Sequence, residues 1–107
     1  METREIDFLY QAFGKLVRLH REQRRDLTQE KLGRLVGLSR TSITNIEKGR
    51  QHVALHQVFA LANALGVPPS ALLPTVGDGQ GTSWVASKLP PDTDKEITQW
   101  AEMITRE

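Results

Sequence analysis

The 107-residue sequence contains no cysteine, which excludes disulfides, thiolate zinc centres and thiol nucleophiles together and fits a reducing compartment. Its three histidines, His20, His52 and His56, do not converge on a ligand set, and no nucleophile is paired with a base. Neither a metal, a cofactor nor an enzymatic activity is therefore expected. No stretch approaches the ~20 consecutive apolar residues of a membrane span. The start METREIDFLY carries acids where a secretory signal would have a basic region followed by an apolar one. These absences predict a cytoplasmic chain without a membrane partner. Aromatic residues make up only 6% of the chain, while 38% apolar and 25% charged residues are ordinary values for a globular protein. The length suits one domain with an appendage and leaves little room for a large catalytic cleft.

Net charge is also nearly absent, at +1, but the total conceals a division. Residues 1–73 carry 11 basic and 7 acidic side chains, giving +4; residues 74–107 carry 3 and 6, giving −3. Residues 51–73 contain no Asp, Glu, Lys or Arg, so the basic excess lies wholly in residues 1–50. One end of the first domain is thus electropositive.

Apolar periodicity divides that domain into helices. Ile6, Leu9, Tyr10, Phe13, Leu16 and Val17 recur at three- and four-residue steps and predict a helix over about 7–24. Thr28 stands as the N-cap of a short second helix with Leu32, Leu35 and Val36 inward, and Gly37 stops it. Ser39 opens a third, residues 40–48, with Ile43 and Ile46 inward and Gly49 at its end. Residues 54–65 form a fourth, apolar around most of its circumference, with Leu55, Val58, Phe59, Leu61, Ala62 and Leu65 available for a core. Pro68-Pro69-Ser70 starts a fifth, whose Ala71, Leu72 and Leu73 close the bundle.

Residues 74–91 have linker composition, with Gly77, Gly79, Gly81, Pro74, Pro90 and Pro91, interrupted by a short strand candidate at 82–86. Residues 92–107 predict a C-terminal helix with Asp94 and Glu96 in its first turn and Arg106 in its last. Ile97, Trp100, Ala101 and Ile104 form an i, i+3, i+4, i+7 stripe on it. The stripe is read as a dimerisation or partner-binding element, because a short tethered helix has little reason to bury Trp100 unless apolar surface awaits it.

The segment 27–50, LTQEKLGRLVGLSRTSITNIEKGR, resembles the helix-turn-helix of the phage-repressor and Cro-like family, also called the xenobiotic-response-element family. The likeness extends back through Phe13-Gly14-x-x-Val17-Arg18 and forward through Leu61-Ala62-x-Ala64-Leu65-Gly66-Val67 to Leu72-Leu73, about 70 residues in all. It implies an all-α, five-helix, lambda-repressor-like DNA-binding bundle, followed here by a linker and a C-terminal helix. Gly33 stands where the family usually has alanine, and His20 where leucine is common.

The resemblance places the third helix in the major groove of double-stranded DNA. Arg40, Thr41, Thr44 and Asn45 are the expected base readers: Arg40 for a guanine edge, Asn45 for adenine, and the threonine methyls for thymine. Thr28, Gln29, Ser39, Ser42, Lys48 and Arg50 are the expected phosphate contacts, with Gln51 and His52 as flanking candidates. Gln29 is further expected to buttress Arg40 or Thr41, and Glu47 to pair structurally with a basic residue, Arg18 being the candidate. The implied function is that of a sequence-specific transcriptional regulator, a homodimeric repressor on an inverted-repeat operator. The alternative is an antitoxin-type or partner-regulated repressor whose acidic tail binds another protein.

Overall fold

The structure is a computed structural model that describes residues 2–74. The candidate strand at 82–86 and the predicted C-terminal helix with its Ile97, Trp100, Ala101 and Ile104 stripe lie outside the described residues. Within them the architecture is all helical: α1 (Thr3–Glu22), α2 (Gln29–Val36), α3 (Arg40–Glu47) and α4 (Leu55–Leu65), followed by a single 3₁₀ turn at Pro69–Leu72. The expected fifth helix is therefore only this turn. Its proline start favours a helical beginning, but four residues give too few i→i+4 bonds to establish an α-helix. None of these helices is long and apolar enough to cross a membrane.

Helix ends are set by the residues that suit them. Thr28 accepts a hydrogen bond from the Lys31 backbone N–H, and Ser39 accepts one from that of Ser42, so each hydroxyl satisfies an amide that the first helical turn leaves open. Gly37, between α2 and α3, has φ +74°, the left-handed conformation that closes a helix without a Cβ penalty. Helix α1 runs from Thr3 rather than Asp7, and stops two residues earlier than expected.

Phe13, Val17, Leu32, Ile43, Ile46, Val58, Leu61, Ala62, Leu65 and Leu72 form one buried cluster drawn from every element. Three apolar assignments turn outward instead: Leu35 is 64% exposed, Leu55 75% and Phe59 56%. On α4 nearly every position is apolar, so periodicity does not select a face. The neighbours do, and they cover Val58, Leu61, Ala62 and Leu65. Leu73, expected to close the bundle with Leu72, is 43% exposed, since the turn points Leu72 alone inward.

Two glycines permit close backbone crossings. A Cβ on Gly14 of α1 would collide with the backbone carbonyl oxygen of Ile46 and lie 2.8 Å from that of Glu47. The end of α3 therefore rests directly on α1. A Cβ on Gly33 would sit 2.5 Å from the Leu38 carbonyl oxygen, too close for an atom of that size. Where helix propensity favours alanine by about 0.5–1 kcal/mol, packing at Gly33 favours glycine. Gly14→Ala is expected to destabilise the domain by more than about 2 kcal/mol, and Gly33→Ala to destabilise it by about 1 kcal/mol rather than stabilise it. Urea unfolding followed by circular dichroism measures both, and a gain in midpoint for Gly33→Ala would show that the α2–α3 turn opens freely.

Candidate nucleic-acid interface

Helix α3 presents two unlike sides. Ile43 and Ile46 are buried in the core, while Arg40, Thr41 and Lys48 are exposed and Ser42, Thr44 and Asn45 are half-buried along the opposite edge. Arg50 is exposed just beyond the end. The four expected base readers thus lie within eight residues of helix, a length that fits the major groove.

The acid of α3 is withdrawn from this surface. Glu47 is buried, its side chain only 3% exposed, and Arg21 of α1 holds it with two bonds: Nε to Oε2 at 2.6 Å and Nη2 to Oε1 at 3.1 Å. Arg21 also donates from Nη1 to the Leu27 carbonyl at 3.2 Å, which ties the loop before α2 to the same group. An acid in the last turn of a helix meets the negative end of the helix dipole, and burial adds a desolvation cost; a bidentate guanidinium opposes both. The Glu47 bond raises the Arg21 pKa above its already high ordinary value, and burial opposes that rise less strongly. A raised pKa in a cation means that its stabilising contribution is present at all pH below the unfolded value and lost only in strong alkali. Arg21 therefore stays charged throughout the range in which DNA is bound.

The partner of Glu47 is thus Arg21, not Arg18, which makes an exposed one-turn contact with Glu22 at 3.2 Å. Arg21 continues the buried face of α1 in four-residue steps from Phe13 and Val17. That spacing was a signal in the sequence that family likeness alone passed over.

Gln29, the first residue of α2, connects the buried pair to the reading helix. Its Nε2 donates to Glu47 Oε1 at 3.0 Å, which fixes the amide orientation because a carboxylate only accepts. Its Oε1 lies 3.0 Å from the Thr44 hydroxyl, which is equally close to the Arg40 carbonyl within its own helix. The residue buttressed by Gln29 is therefore Thr44 rather than Arg40 or Thr41. Of the Gln29 groups suited to a phosphate, the second Nε2 hydrogen and the backbone N–H remain.

Thr28 and Ser39 act through their oxygens as helix caps, which leaves each hydroxyl hydrogen to donate. In Ser39 that hydrogen points to Ser42 Oγ at 3.2 Å, directing the Ser42 hydroxyl onward. Two further contacts were not suggested by the sequence. The rings of Tyr10 on α1 and His52 after α3 stack with centroids 4.0 Å apart. Arg24 donates from Nη1 to the Ala64 carbonyl at 3.1 Å, placing a cation at the C-terminal end of α4, where the dipole favours one.

Comparison with known proteins agrees with the fold. Residues 12–73 match the helix-turn-helix domain family, so the chain belongs to that family, whose members here are DNA-binding transcription regulators of the Cro-like kind and not enzymes. Among its relatives is the control protein C.BamHI of Bacillus amyloliquefaciens, 41% identical over 61 residues that make up 57% of this chain and 75% of the relative. The solved structure of the restriction-modification controller protein C.AhdI from Aeromonas hydrophila is similar with a TM-score of 0.58 and 32% identity, covering 67% of this chain and all of the controller. The hypothetical transcription factor NHTF from Neisseria is similar with a TM-score of 0.56 and 35% identity, over 61% of this chain and 74% of the factor.

Glu47→Gln leaves the Arg21 guanidinium without its charge partner, and an expected loss of about 3 kcal/mol follows from breaking a buried pair on one side. Chemical denaturation measures this, and a loss below about 1 kcal/mol would mean that water reaches the pair. Gln29→Ala removes a donor from the buried Glu47 carboxylate and should cost about 1.5–3 kcal/mol in the same denaturation measurement.

Proposed function

We propose that this chain is a homodimeric repressor that binds an inverted-repeat operator in a promoter and blocks polymerase sterically, acting in the cytoplasm. The observation that carries the reading is the composition of the α3 surface: exposed Arg40 and Thr41 beside Thr44 and Asn45, on a helix whose acid is buried against Arg21. Arg40 reads a guanine edge with two hydrogen bonds, Asn45 reads adenine, and the methyls of Thr41 and Thr44 meet thymine. Thr28, Gln29, Ser39, Ser42, Lys48 and Arg50 border this strip and supply phosphate contacts that fix the pose. Kinship with proteins named as controllers supports a role in setting the transcription of a small gene set.

A two-fold dimer would place its two reading helices about 34 Å apart, one turn of DNA, and so demand two half-sites in inverted orientation. We assign the association to Ile97, Trp100, Ala101 and Ile104 of the C-terminal segment, 92–107, joined by the linker 74–91 to the reader, 1–73. A second reading is favoured by the −3 charge of residues 74–107: the acidic tail binds a separate protein, as in antitoxin-type or partner-regulated repressors. A stable complex with a genomic neighbour, lost on deleting residues 92–107, distinguishes it.

Selection of bound sequences from a random DNA pool tests the principal reading and is expected to return an inverted repeat. On that operator, Arg40→Ala and Asn45→Ala should each weaken binding by about 1–3 kcal/mol and relax the preference at one base position. Lys48→Ala should weaken binding to all sequences alike and lower the slope of log affinity against log salt by about 1. Wild-type affinity for both Arg40→Ala and Asn45→Ala would remove the proposed reading face.

A further inference from the structure

Beside the reading strip lies a cleft that the contacts assigned so far do not use. It is open to solvent, has a volume of about 400 Å³, and lies where α1, the start of α2 and the end of α3 meet. Arg18 and Glu22 of α1, Gln29 of α2, Thr44 of α3 and Lys48 line it over the buried Arg21–Glu47 pair. Gln29, Thr44 and Lys48 also border the strip, so the cleft adjoins the proposed DNA face.

The charges in it are held on unequal terms. Arg21 is committed to Glu47 by two bonds, out of water. Arg18 donates from Nε to Glu22 Oε1 at 3.2 Å, with the two side chains 51% and 54% exposed. Water screens such a pair, and holding two long side chains together costs entropy, so it contributes little. Cation before acid is also the weaker order along a helix, and Glu22 is the last residue of α1, where the dipole disfavours an acid. Neither the helix nor the core gives a reason for Glu22. What it does is hold a guanidinium at the mouth of the cleft.

We propose that the cleft is a phosphodiester site: on meeting DNA, the Arg18 guanidinium exchanges the Glu22 carboxylate for a backbone phosphate, which also receives the second Nε2 hydrogen of Gln29 and the Lys48 ammonium. This rests on the reading of DNA by α3 and adds α1 to the surface that touches the duplex. A guanidinium suits the exchange because its planar fork of donors fits phosphate as well as carboxylate. A forked contact with a phosphate whose place the duplex fixes then replaces a bond between two exposed side chains. Gln29 is already turned for it, since Glu47 takes one Nε2 hydrogen and leaves the other. Glu22 tempers the site: until a phosphate arrives in register, it neutralises a cation that would attract any polyanion.

Arg18→Gln and Glu22→Gln, singly and together in the full chain, are titrated over a salt series against the selected operator and an unrelated duplex of equal length. Arg18→Gln is expected to weaken binding to both duplexes about ten-fold and to lower the slope of log affinity against log salt by about 1 per bound chain. Glu22→Gln is expected to tighten both about three-fold, and to do nothing in the Arg18→Gln background, because its effect passes through Arg18. Effects that simply add would mean that both charges act at long range, and would overturn the exchange. An uncharged methylphosphonate, placed in turn at each phosphate of the half-site, should weaken the wild type about ten-fold at one position that leaves Arg18→Gln unaffected. The lack of such a position overturns the site. Arg40→Ala and Asn45→Ala separate this from the reading beneath it. Losses there with none at Arg18→Gln refute the cleft alone, whereas wild-type affinity for both overturns the reading face and the cleft with it.

Discussion

A carboxylate whose side chain is 3% exposed, at the end of the helix meant to face a polyanion, is tolerable only if its charge is met where it lies. Arg21 meets it from α1, and the remaining polar geometry is organised around that contact. The guanidinium spends its third donor on the Leu27 carbonyl, so the loop leading to α2 is pinned by the same residue that anchors α3. Glu47 in turn accepts from Gln29, the first residue of α2. Three helices and one loop thus share a single ion pair, and the outer face of α3 is left without an acid of its own.

From that centre the influence passes outward by hydrogen bonds of fixed direction. Because Glu47 can only accept, Gln29 must turn its nitrogen inward and its oxygen toward Thr44. Thr44 is thereby held from two sides, by Gln29 and by the Arg40 carbonyl, although its one proton serves one acceptor at a time. Arg40 and Thr41 are under no such restraint and are open to solvent. The reading strip therefore combines a pre-set central residue with adaptable ones at the entrance of the helix.

Capping residues, core isoleucines and the left-handed glycine between α2 and α3 were legible in the sequence because each is a local requirement: a hydroxyl for open amides, an apolar step of three or four, a missing Cβ. The choice of Arg21 over Arg18 depends on how α1 lies against α3, which spacing hints at but does not decide. The α4 face was illegible for a different reason. With Leu55, Val58, Phe59, Leu61 and Leu65 all apolar, no stripe stands out, and only the placement of α1, α2 and the final turn determines which of them are covered. Gly33 shows the limit of propensity: a helix-weakening residue by its own preference, it is required by a carbonyl from the next turn of chain.

The contact at Gly14 carries a consequence for how such a reader changes over time. Where helices cross through interdigitated side chains, each substitution alters the crossing angle a little. Here main chain lies against main chain, because Gly14 offers no atom beyond Cα to the carbonyls of Ile46 and Glu47. The tilt of α3 is thereby insulated from the identity of its outward residues. On the proposed reading of DNA by α3, positions 40, 41 and 45 would be free to acquire new base preferences while the helix keeps its bearing, so a lineage built on this crossing could exchange operators without rebuilding its scaffold.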